Sequence, residues 1–241
     1  MTDWLIGFAF LVLKLIIILA VLLGGAGYLV LAERKLLARL QVRLGPNRAG
    51  IFGLLQPLAD TVKLLTKEDT VLSGADRAIF LLAPAVIAAT TLLLFAVVPF
   101  GDTFLFMGRT VPMVIADLNA GVLYVLALFA LGVYGIALGG WASNSKYSLL
   151  GGFRGAAQMI SYELPLALSL VPVVMLAGSF SVVDIVDAQD RYPFVVLVPS
   201  FVLFMIGASA EIRRIPFELP EAENELIAGY HTEYSGMRFA L

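Results

Sequence analysis

The sequence predicts an all-α membrane protein: a polytopic bundle of transmembrane helices forming a single integral membrane domain over residues 1–241. Hydrophobic residues make up 60% of the chain, charged residues only 14%, and the mean hydropathy is +0.94. A chain of this size with so few polar residues cannot cover the surface of a soluble globule. Cysteine is absent, which excludes disulfides and thiolate-bound metal or iron–sulfur centres in this chain.

Five apolar segments are long enough to cross a bilayer, because a hydrocarbon core of about 30 Å needs roughly 20 apolar residues per helix. We predict complete spans over residues 5–32, 78–99, 113–141, 157–177 and 193–210. The first segment is too long for a cleaved signal peptide and follows a weakly acidic N-terminus, so we expect it to remain as a helix.

The 16 Lys and Arg residues predict the orientation, because basic residues are disfavoured in translocated loops. Eight follow the first span, two lie in the third loop and three follow the fifth span, whereas only Arg109 and Arg191 fall on the other side. We therefore expect the N-terminus outside and the first, third and fifth loops inside. Lys14, within the first span, either reaches an interface or faces a neighbouring subunit.

The first inner loop contains a further predicted helix. Residues 52–66 place apolar side chains at helical spacing with Asp60 and Lys63 among them, which indicates an amphipathic helix at the membrane interface. The run Gly24-Gly25-Ala26-Gly27 lies inside an apolar segment and indicates close helix packing, not a phosphate-binding loop.

Ionisable residues at membrane depth are the main functional candidates, because a charge at the bilayer centre costs at least about 2.5–3.5 kcal/mol. Glu163 lies about two turns into the fourth span, and Gln158, Met159 and Tyr162 precede it closely. We predict that Glu163 relays protons, since burial favours the neutral form of a carboxyl group and so suits a proton carrier. The alternative is a structural hydrogen bond to an adjacent helix.

Four other residues extend the candidates at the ends of the spans. Glu211 ends the fifth span and is either a relay group or part of an ordinary ion pair with the arginines that follow. Tyr134 could pass a proton through its hydroxyl, whereas Asp117 is better explained as an interface cap. Glu33 closes the first span, where it either anchors the helix or forms the rim of a cavity.

An acidic inner loop, residues 211–233, follows the fifth span. It holds the only histidine, His231, and a series of carboxylates: Glu211, Glu218, Glu221, Glu223, Glu225 and Glu233. Pro216 and Pro220 disfavour a regular helix there, so we expect a loop that can hold more than one arrangement.

Three stretches of the sequence stand out together: LAERKLLARLQVRLGPNRAGIFGLLQPLADTVKLLTKE (31–68), GWASNSKYSLLGGFRGAAQMISYE (140–163) and AEIRRIPFELPEAENELIAGYHTEYSGMRF (210–239). They closely resemble the membrane subunit at the junction of the two arms of respiratory complex I, the NADH-quinone oxidoreductase of bacteria. Homologous anchor or coupling subunits of membrane-bound hydrogenases and of other ferredoxin- or F420-dependent complexes are the alternative, with more diverged versions of these stretches.

The resemblance implies a protein that forms much of a quinone tunnel and couples quinone reduction to proton translocation across a bacterial inner membrane. The implied quinone-binding residues are Glu33, Arg34, Asp60, Glu218, Glu221, Glu223 and Glu225. The proton relay comprises Glu163, Glu211 and Tyr134. Quinone, either ubiquinone or menaquinone, is the expected substrate, and no catalytic residue, metal or redox cofactor is expected in this chain. Expected partners are the peripheral quinone-site subunits, the small membrane subunits and the lipid bilayer, without nucleic acid.

Two departures from the family pattern stand out. The family often has Ala-Glu-Thr-Asn-Arg before Pro-Phe-Asp, whereas this chain has Ile212 and Arg213 in place of the Thr-Asn pair, which puts an extra cation near Glu211. The third span lacks the acid that some relatives carry, which leaves Tyr134 or water to bridge the relay. The resemblance also implies further membrane helices beyond Leu241.

Two other functions fit a membrane protein of this size. A purely structural anchor does not account for Glu163 at membrane depth. An independent ion transporter is expected to show an inverted repeat with broken helices, a pattern that is absent from the sequence.

Overall fold

The computed structural model of the chain describes residues 2–106, 109–213 and 216–240, with side chains except at 2–6, 104–106, 109, 223 and 224. The helices within these residues are α1 Thr2–Leu40, α2 Gln56–Thr66, α3 Arg77–Leu94, α4 Gly121–Ala142, α5 Lys146–Ala177, α6 Val182–Ala188, α7 Val198–Glu211, α8 Glu223–Leu226 and α9 Gly236–Ala240. The strands are β1 Thr103–Phe106 and β2 Arg109–Pro112. Short 3-10 turns cover Ile51–Gly53, Gln189–Arg191, Phe194–Leu197 and Gly229–His231.

Five of the described helical segments are long and apolar enough to cross a membrane. They are Gly7–Leu40, Arg77–Leu94, Gly121–Ala142, Lys146–Ala177 and Phe194–Glu211. Many of their large apolar side chains are exposed, as expected of surfaces that face lipid or a neighbouring subunit. The predicted all-α bundle of five spans is therefore confirmed.

The boundaries of five predicted helices differ from those observed. α1 continues to Leu40 instead of ending at 32, and α3 ends at Leu94 instead of 99. α5 begins at Lys146 instead of 157, because its first turns are polar and rich in glycine yet still helical. α4 begins at Gly121 instead of 113, because the preceding residues are held in a non-helical path in which the Met113 N–H donates to the Asp102 carbonyl at 3.0 Å. α2 begins at Gln56 instead of 52, because Phe52 has a φ of 52° that interrupts the helix.

A small hairpin between α3 and α4 is a feature that the sequence analysis did not predict. β1 and β2 pair antiparallel, with Thr103 opposite Pro112. The Phe100 N–H donates to the Met113 carbonyl at 3.0 Å and extends the pairing beyond the strands.

The described chain separates into two compact units, which we describe separately. The first unit ends at Asp69 and also contains Ser235–Ala240, and the second comprises Thr70–Tyr234. The single domain predicted over residues 1–241 stays a prediction.

In the first unit, α2 packs against both α1 and α9. Pro57 lies in the first turn of α2, where a missing backbone N–H costs nothing, and its Cβ lies 3.2 Å from the position of a Cβ added to Gly27 of α1. Arg238 of α9 pairs with Asp69 at 2.7 Å. These contacts hold the amphipathic segment on α1 at one side and on α9 at the other.

In the second unit, α4 packs between α3 and α5, and α5 packs in turn against α7. The α4–α5 contact is very close, because a Cβ added to Gly140 would lie only 3.0 Å from the Gly152 Cα. The α3 N-terminus is capped by Asp76, whose carboxylate accepts the N–H groups of Ala78 and Ile79. α5 ends at Gly178, whose φ of 71° is the left-handed conformation common at helix C-termini.

The acidic loop lies directly on what we call the glycine face of α5, formed by Gly151, Gly152 and Gly155. A Cβ added to Gly151 would lie 2.5 Å from the Tyr230 backbone nitrogen, and one added to Gly155 would lie 3.4 Å from the Pro220 Cβ. Any larger side chain at Gly151 would therefore push the loop away from α5. Because glycine has no side chain, the backbone of the loop at Gly229 and Tyr230 can pack directly on the backbone of α5 at Gly151.

The end of the same loop is fixed by an aromatic contact. The Tyr234 ring stacks on Phe80 with ring centroids 4.2 Å apart and an interplanar angle of 1°. The Tyr234 hydroxyl also donates to the Phe80 carbonyl at 3.3 Å, and both residues pack with Ala142 in a buried cluster. The loop is thus held to the bundle at Tyr230 and again at Tyr234.

Replacing Gly229 by Ala should prevent the acidic loop from folding onto α5. Gly229 has a φ of 59°, and an added Cβ would lie 1.8 Å from the Pro220 carbonyl oxygen, so the backbone itself must move. We expect a loss of at least about 2 kcal/mol in the free energy of unfolding, measured by thermal or denaturant unfolding of the purified chain in detergent.

Gly25→Ala is the matched control, because an added Cβ there meets nothing within 4 Å. Equal stability of the two variants would contradict the close packing of the loop.

Candidate functional site

Glu163 and Glu211, the two acids predicted to relay protons, are brought together by the packing of α5 against α7. Gly207 of α7 lies on Leu166 of α5, where an added Cβ would be 3.1 Å from the Leu166 Cβ. Glu163 lies about one turn before Leu166, and Glu211 about one turn after Gly207. Because later residues of α7 meet earlier residues of α5, both carboxylates fall at the same level. Both are half-buried and close enough for their charges to interact.

Beside this pair, α5 holds the first residues of the acidic loop through two side chains. The Gln158 Nε2 donates to the Ala210 carbonyl at 3.0 Å and to the Phe217 carbonyl at 2.9 Å. The Phe217 ring packs edge-on against Tyr162 with a centroid distance of 5.1 Å. The backbone and the ring of Phe217 are therefore both fixed to the helix that carries Glu163.

Arg213, the extra cation noted in the sequence, joins the two ends of the acidic loop. Its Nη1 donates to the Tyr230 hydroxyl at 2.6 Å, and its guanidinium carbon lies 5.1 Å from the centre of the same ring. Its charge also acts on Glu211. Burial raises the pKa of the Tyr230 phenol, and the nearby Glu221 adds to this, whereas the charge and the hydrogen bond of Arg213 oppose the rise.

The other loop carboxylates are more open to solvent. Glu225 is exposed and pairs with Arg154 of α5 at 2.6 Å, and Glu218 is exposed as well. Glu221 is half-buried near Tyr230. The side chain of Glu223 lies outside the described residues, as does Arg214.

In the first unit, the structure brings together Arg34 and Asp60, two of the residues predicted to bind quinone. The Arg34 Nη1 donates to Asp60 Oδ2 at 2.6 Å, and the Gln56 Nε2 donates to Asp60 Oδ1 at 2.9 Å. Both carboxylate oxygens therefore have partners, which fixes the orientation of Asp60 on α2. Glu33 is half-buried on α1, next to Arg34.

Tyr134 is not among the buried residues around Glu163 and Glu211. Its side chain on α4 is 62% exposed, so it faces lipid or a neighbouring subunit instead of the packed interior. Asp117 accepts a hydrogen bond from Ser181 at 3.0 Å, which links the segment before α4 to the start of α6. This contact gives Asp117 a structural role in the fold.

Similarity to known proteins agrees with these features. A family model described as NADH dehydrogenase matches residues 13–241. The chain belongs to the NADH dehydrogenase family. Relatives named as the H subunit of NADH-quinone oxidoreductase include one from Syntrophobacter fumaroxidans, 68% identical over 100% of this chain and 73% of the relative. A second relative, from Geobacter metallireducens, is 60% identical over 95% of this chain and 70% of the relative. A third, from Thermomicrobium roseum, is 54% identical over 93% of this chain and 69% of the relative.

These relatives confirm the resemblance to the junction membrane subunit of complex I and favour it over the hydrogenase-type alternative. The three stretches that carried the resemblance also contain residues that form the contacts above: Arg34 and Asp60 in the first, Gln158 in the second and Phe217 in the third. Within the described part of the chain, no three His, Asp or Glu side chains form a group that could hold a metal ion.

Sequence reasoning missed the roles of Gln158, Arg154 and Tyr230 in this member of the NADH dehydrogenase family. Gln158 was visible only as a polar neighbour of Glu163, and its partners lie 52 and 59 residues further along the chain. Arg154 counted only as a basic residue of the third loop. A polar side chain within the apolar stretch before Glu163 was the one available signal, since such a group needs a partner in the bundle.

Replacing Tyr230 by Phe should loosen the acidic loop, because Phe keeps the ring beneath Arg213 but removes the hydroxyl that accepts its hydrogen bond. We expect a loss of about 1.5–3 kcal/mol in the free energy of unfolding of the purified chain in detergent, as for other hydrogen bonds to charged groups. Tyr147→Phe, at an exposed position on α5, is the control. Equal stability of the two variants would show that the hydrogen bond between Arg213 and Tyr230 does not stabilise the fold.

Proposed function

We propose that this chain acts within complex I, NADH-quinone oxidoreductase, as the membrane subunit that lines the quinone route and couples quinone reduction to proton translocation. The single observation that supports the coupling role most directly is the pairing of Glu163 and Glu211. Two carboxylates on facing helices, next to a loop rich in further acids, are a costly arrangement at membrane depth unless protons move through it.

In this proposal the acidic loop connects the quinone route to the relay. Glu218, Glu221, Glu223 and Glu225 lie within the eight residues 218–225, so negative charge is concentrated in one short segment. The loop also contains Arg213 and Ala222 with φ values of 59° and 30°, a region that non-glycine residues adopt at a cost. That strain supports a loop with a second accessible arrangement, which a change in charge near the quinone would favour.

Within the first unit, a charged pair beside an apolar surface is proposed to bind quinone. Arg34 and Asp60 form a fixed charged pair on α1 and α2, and Glu33 adds a half-buried carboxylate beside it. The exposed leucines in and just before α2, at 54, 55, 58 and 65, provide an apolar surface for the isoprenoid tail. A polar group to orient the quinone head beside an apolar surface for its tail is the chemistry that such a substrate requires.

The location and partners of the chain are proposed from its basic residues and its family. Thirteen of the 16 Lys and Arg residues fall on one side, so the N-terminus is outside and the acidic loop faces the cytoplasm of the bacterial inner membrane. Ubiquinone or menaquinone is the substrate, and electrons arrive from cofactors held by the peripheral subunits. The small membrane subunits continue the relay, in which Tyr134 remains a candidate at the exposed face of α4.

Glu163→Gln should lower both proton pumping and quinone reductase turnover, because Gln keeps the volume of the side chain but cannot ionise. We expect a loss of about a hundredfold in each, at the lower end of what removal of a proton-transfer group costs. The measurement uses the purified complex in proteoliposomes, with the amount of assembled complex determined on native gels.

Asp187→Asn removes the same charge from an exposed acid in α6 and should leave both activities unchanged. A fully assembled Glu163→Gln complex with normal turnover and pumping would exclude the relay role.

Arg34→Ala and Asp60→Asn should raise the apparent KM for short-chain quinones, because each breaks the pair that orients charge along the proposed route. We expect an increase of about three- to tenfold, equivalent to about one ordinary hydrogen bond, together with altered inhibitor sensitivity.

Arg43→Ala is the control for loss of one positive charge, since Arg43 is exposed and its Nε donates to the nearby Gln41 side chain. An unchanged quinone dependence and inhibitor profile in both Arg34→Ala and Asp60→Asn would remove these residues from the quinone route.

A further inference from the structure

Gln158 holds both sides of the corner between α7 and the acidic loop. Ala210 precedes Glu211 at the end of α7, and Phe217 precedes Glu218 in the loop. One side-chain amide donates to the backbone carbonyls of both residues, at 3.0 and 2.9 Å. The distance between these carbonyls is therefore fixed by a single group on α5.

The chemistry of this contact requires an uncharged group with two N–H donors on one nitrogen. Two carbonyl oxygens converge on the Gln158 Nε2, so a carboxylate in its place would repel both, and an aliphatic side chain would leave both without this donor. The Ala210 carbonyl also accepts the Arg213 N–H at 3.2 Å, whereas Phe217 lies in the irregular part of the loop. Loss of the amide should therefore displace the backbone most at Phe217.

We propose that Gln158 is a positioning residue for coupling: it sets the position of the acidic loop relative to the Glu163–Glu211 pair, and quinone-linked changes in the loop reach that pair through it. This inference rests on the proposed function. Gln158 lies on the helix that carries Glu163, and its two partners directly precede Glu211 and Glu218, so one amide contacts the backbone next to a relay acid and next to a further loop acid. If the loop moves at Phe217, either its hydrogen bond to Gln158 breaks or the Gln158 side chain moves with it.

The proposed role differs from that of an ordinary packing residue in what its loss should change. A packing residue affects the amount of folded complex, whereas a positioning residue affects coupling in complexes that do assemble. The loop should then move more freely while electron entry and quinone affinity stay close to normal. These quantities can be measured separately in the intact complex.

The test compares Gln158→Leu, Gln158→Glu and Gln158→Asn in the purified complex. Leu removes both donors at similar volume, Glu replaces them with an acceptor, and Asn keeps the amide but is one methylene too short to reach both carbonyls. Ser161→Ala is the matched control, because the Ser161 hydroxyl donates within its own helix, to the Ala157 carbonyl at 2.7 Å.

Two readouts are needed. Hydrogen–deuterium exchange reports the loop directly, since the N–H groups of Glu221 and Ala222 donate to the Glu218 carbonyl at 3.0 and 2.9 Å and are protected while the loop keeps its shape. Proteoliposome assays report protons pumped per short-chain quinone reduced, together with kcat and KM for that quinone.

We expect Gln158→Leu and Gln158→Glu to exchange the 217–222 amides at least about fivefold faster and to lose at least about twofold in protons pumped per quinone, with KM within about twofold of wild type. Gln158→Asn should fall between them and the wild type. Ser161→Ala should match the wild type in every readout.

Unchanged exchange, or unchanged pumping per quinone, in assembled Gln158→Leu or Gln158→Glu complexes would overturn the inference. If neither assembles, Gln158→Asn decides it by the same two readouts. Glu163→Gln separates this failure from failure of the proposed function. If Glu163→Gln loses turnover and pumping while the Gln158 variants behave like the wild type, only the positioning role is wrong. If Glu163→Gln also keeps normal turnover and pumping, the proposed relay is wrong as well.

Discussion

The close packing on the glycine face of α5 is the constraint on which the second unit depends. Gly152 admits α4 on one side, and Gly151 and Gly155 admit the backbone of the acidic loop. Because these residues have no side chain, the backbones of α4, α5 and the acidic loop approach within van der Waals distance. Any displacement of one of them would lose dispersion contacts. α5 also carries Gln158 and Glu163, so the helix on which the loop packs also carries part of the proposed relay.

This arrangement explains how a loop with only two short helical turns can be held in a defined position. Besides its packing on the glycine face, the loop is held near both ends: Gln158 binds Phe217 at the beginning, and Tyr234 stacks on Phe80 just after the end. Between them, the loop carries charged groups at or near the surface, such as Glu225 with Arg154. Exposed ion pairs contribute only about 0–1 kcal/mol, so the middle of the loop can rearrange at low cost while its ends stay attached.

The sequence predicted the membrane spans, which depend on local composition, but not the features that depend on contacts between distant residues. Five apolar segments of membrane length identify the spans, because hydropathy averages over about 20 residues. The same averaging hid the first turns of α5, where Lys146 and Arg154 are polar but helical. It also could not reveal that Gln158 meets Phe217, since nothing local in either segment specifies a partner 59 residues away. The acids were predictable because a carboxylate in an apolar segment is conspicuous, whereas the uncharged amide that positions them is not.

Arg213 shows how one substitution can change the properties of such a site without altering the fold. Its φ of 59° is a conformation that Asn adopts more readily than Arg, and the family pattern often has Asn at this position. The hydrogen bond and ring contact with Tyr230 offset that conformational cost, and they hold the guanidinium where it also acts on Glu211. A cation thus replaces a neutral side chain at the corner between the relay pair and the loop. With Asn at this position Glu211 would lack the nearby charge, so Arg213 sets the electrostatics at the corner next to the proposed relay.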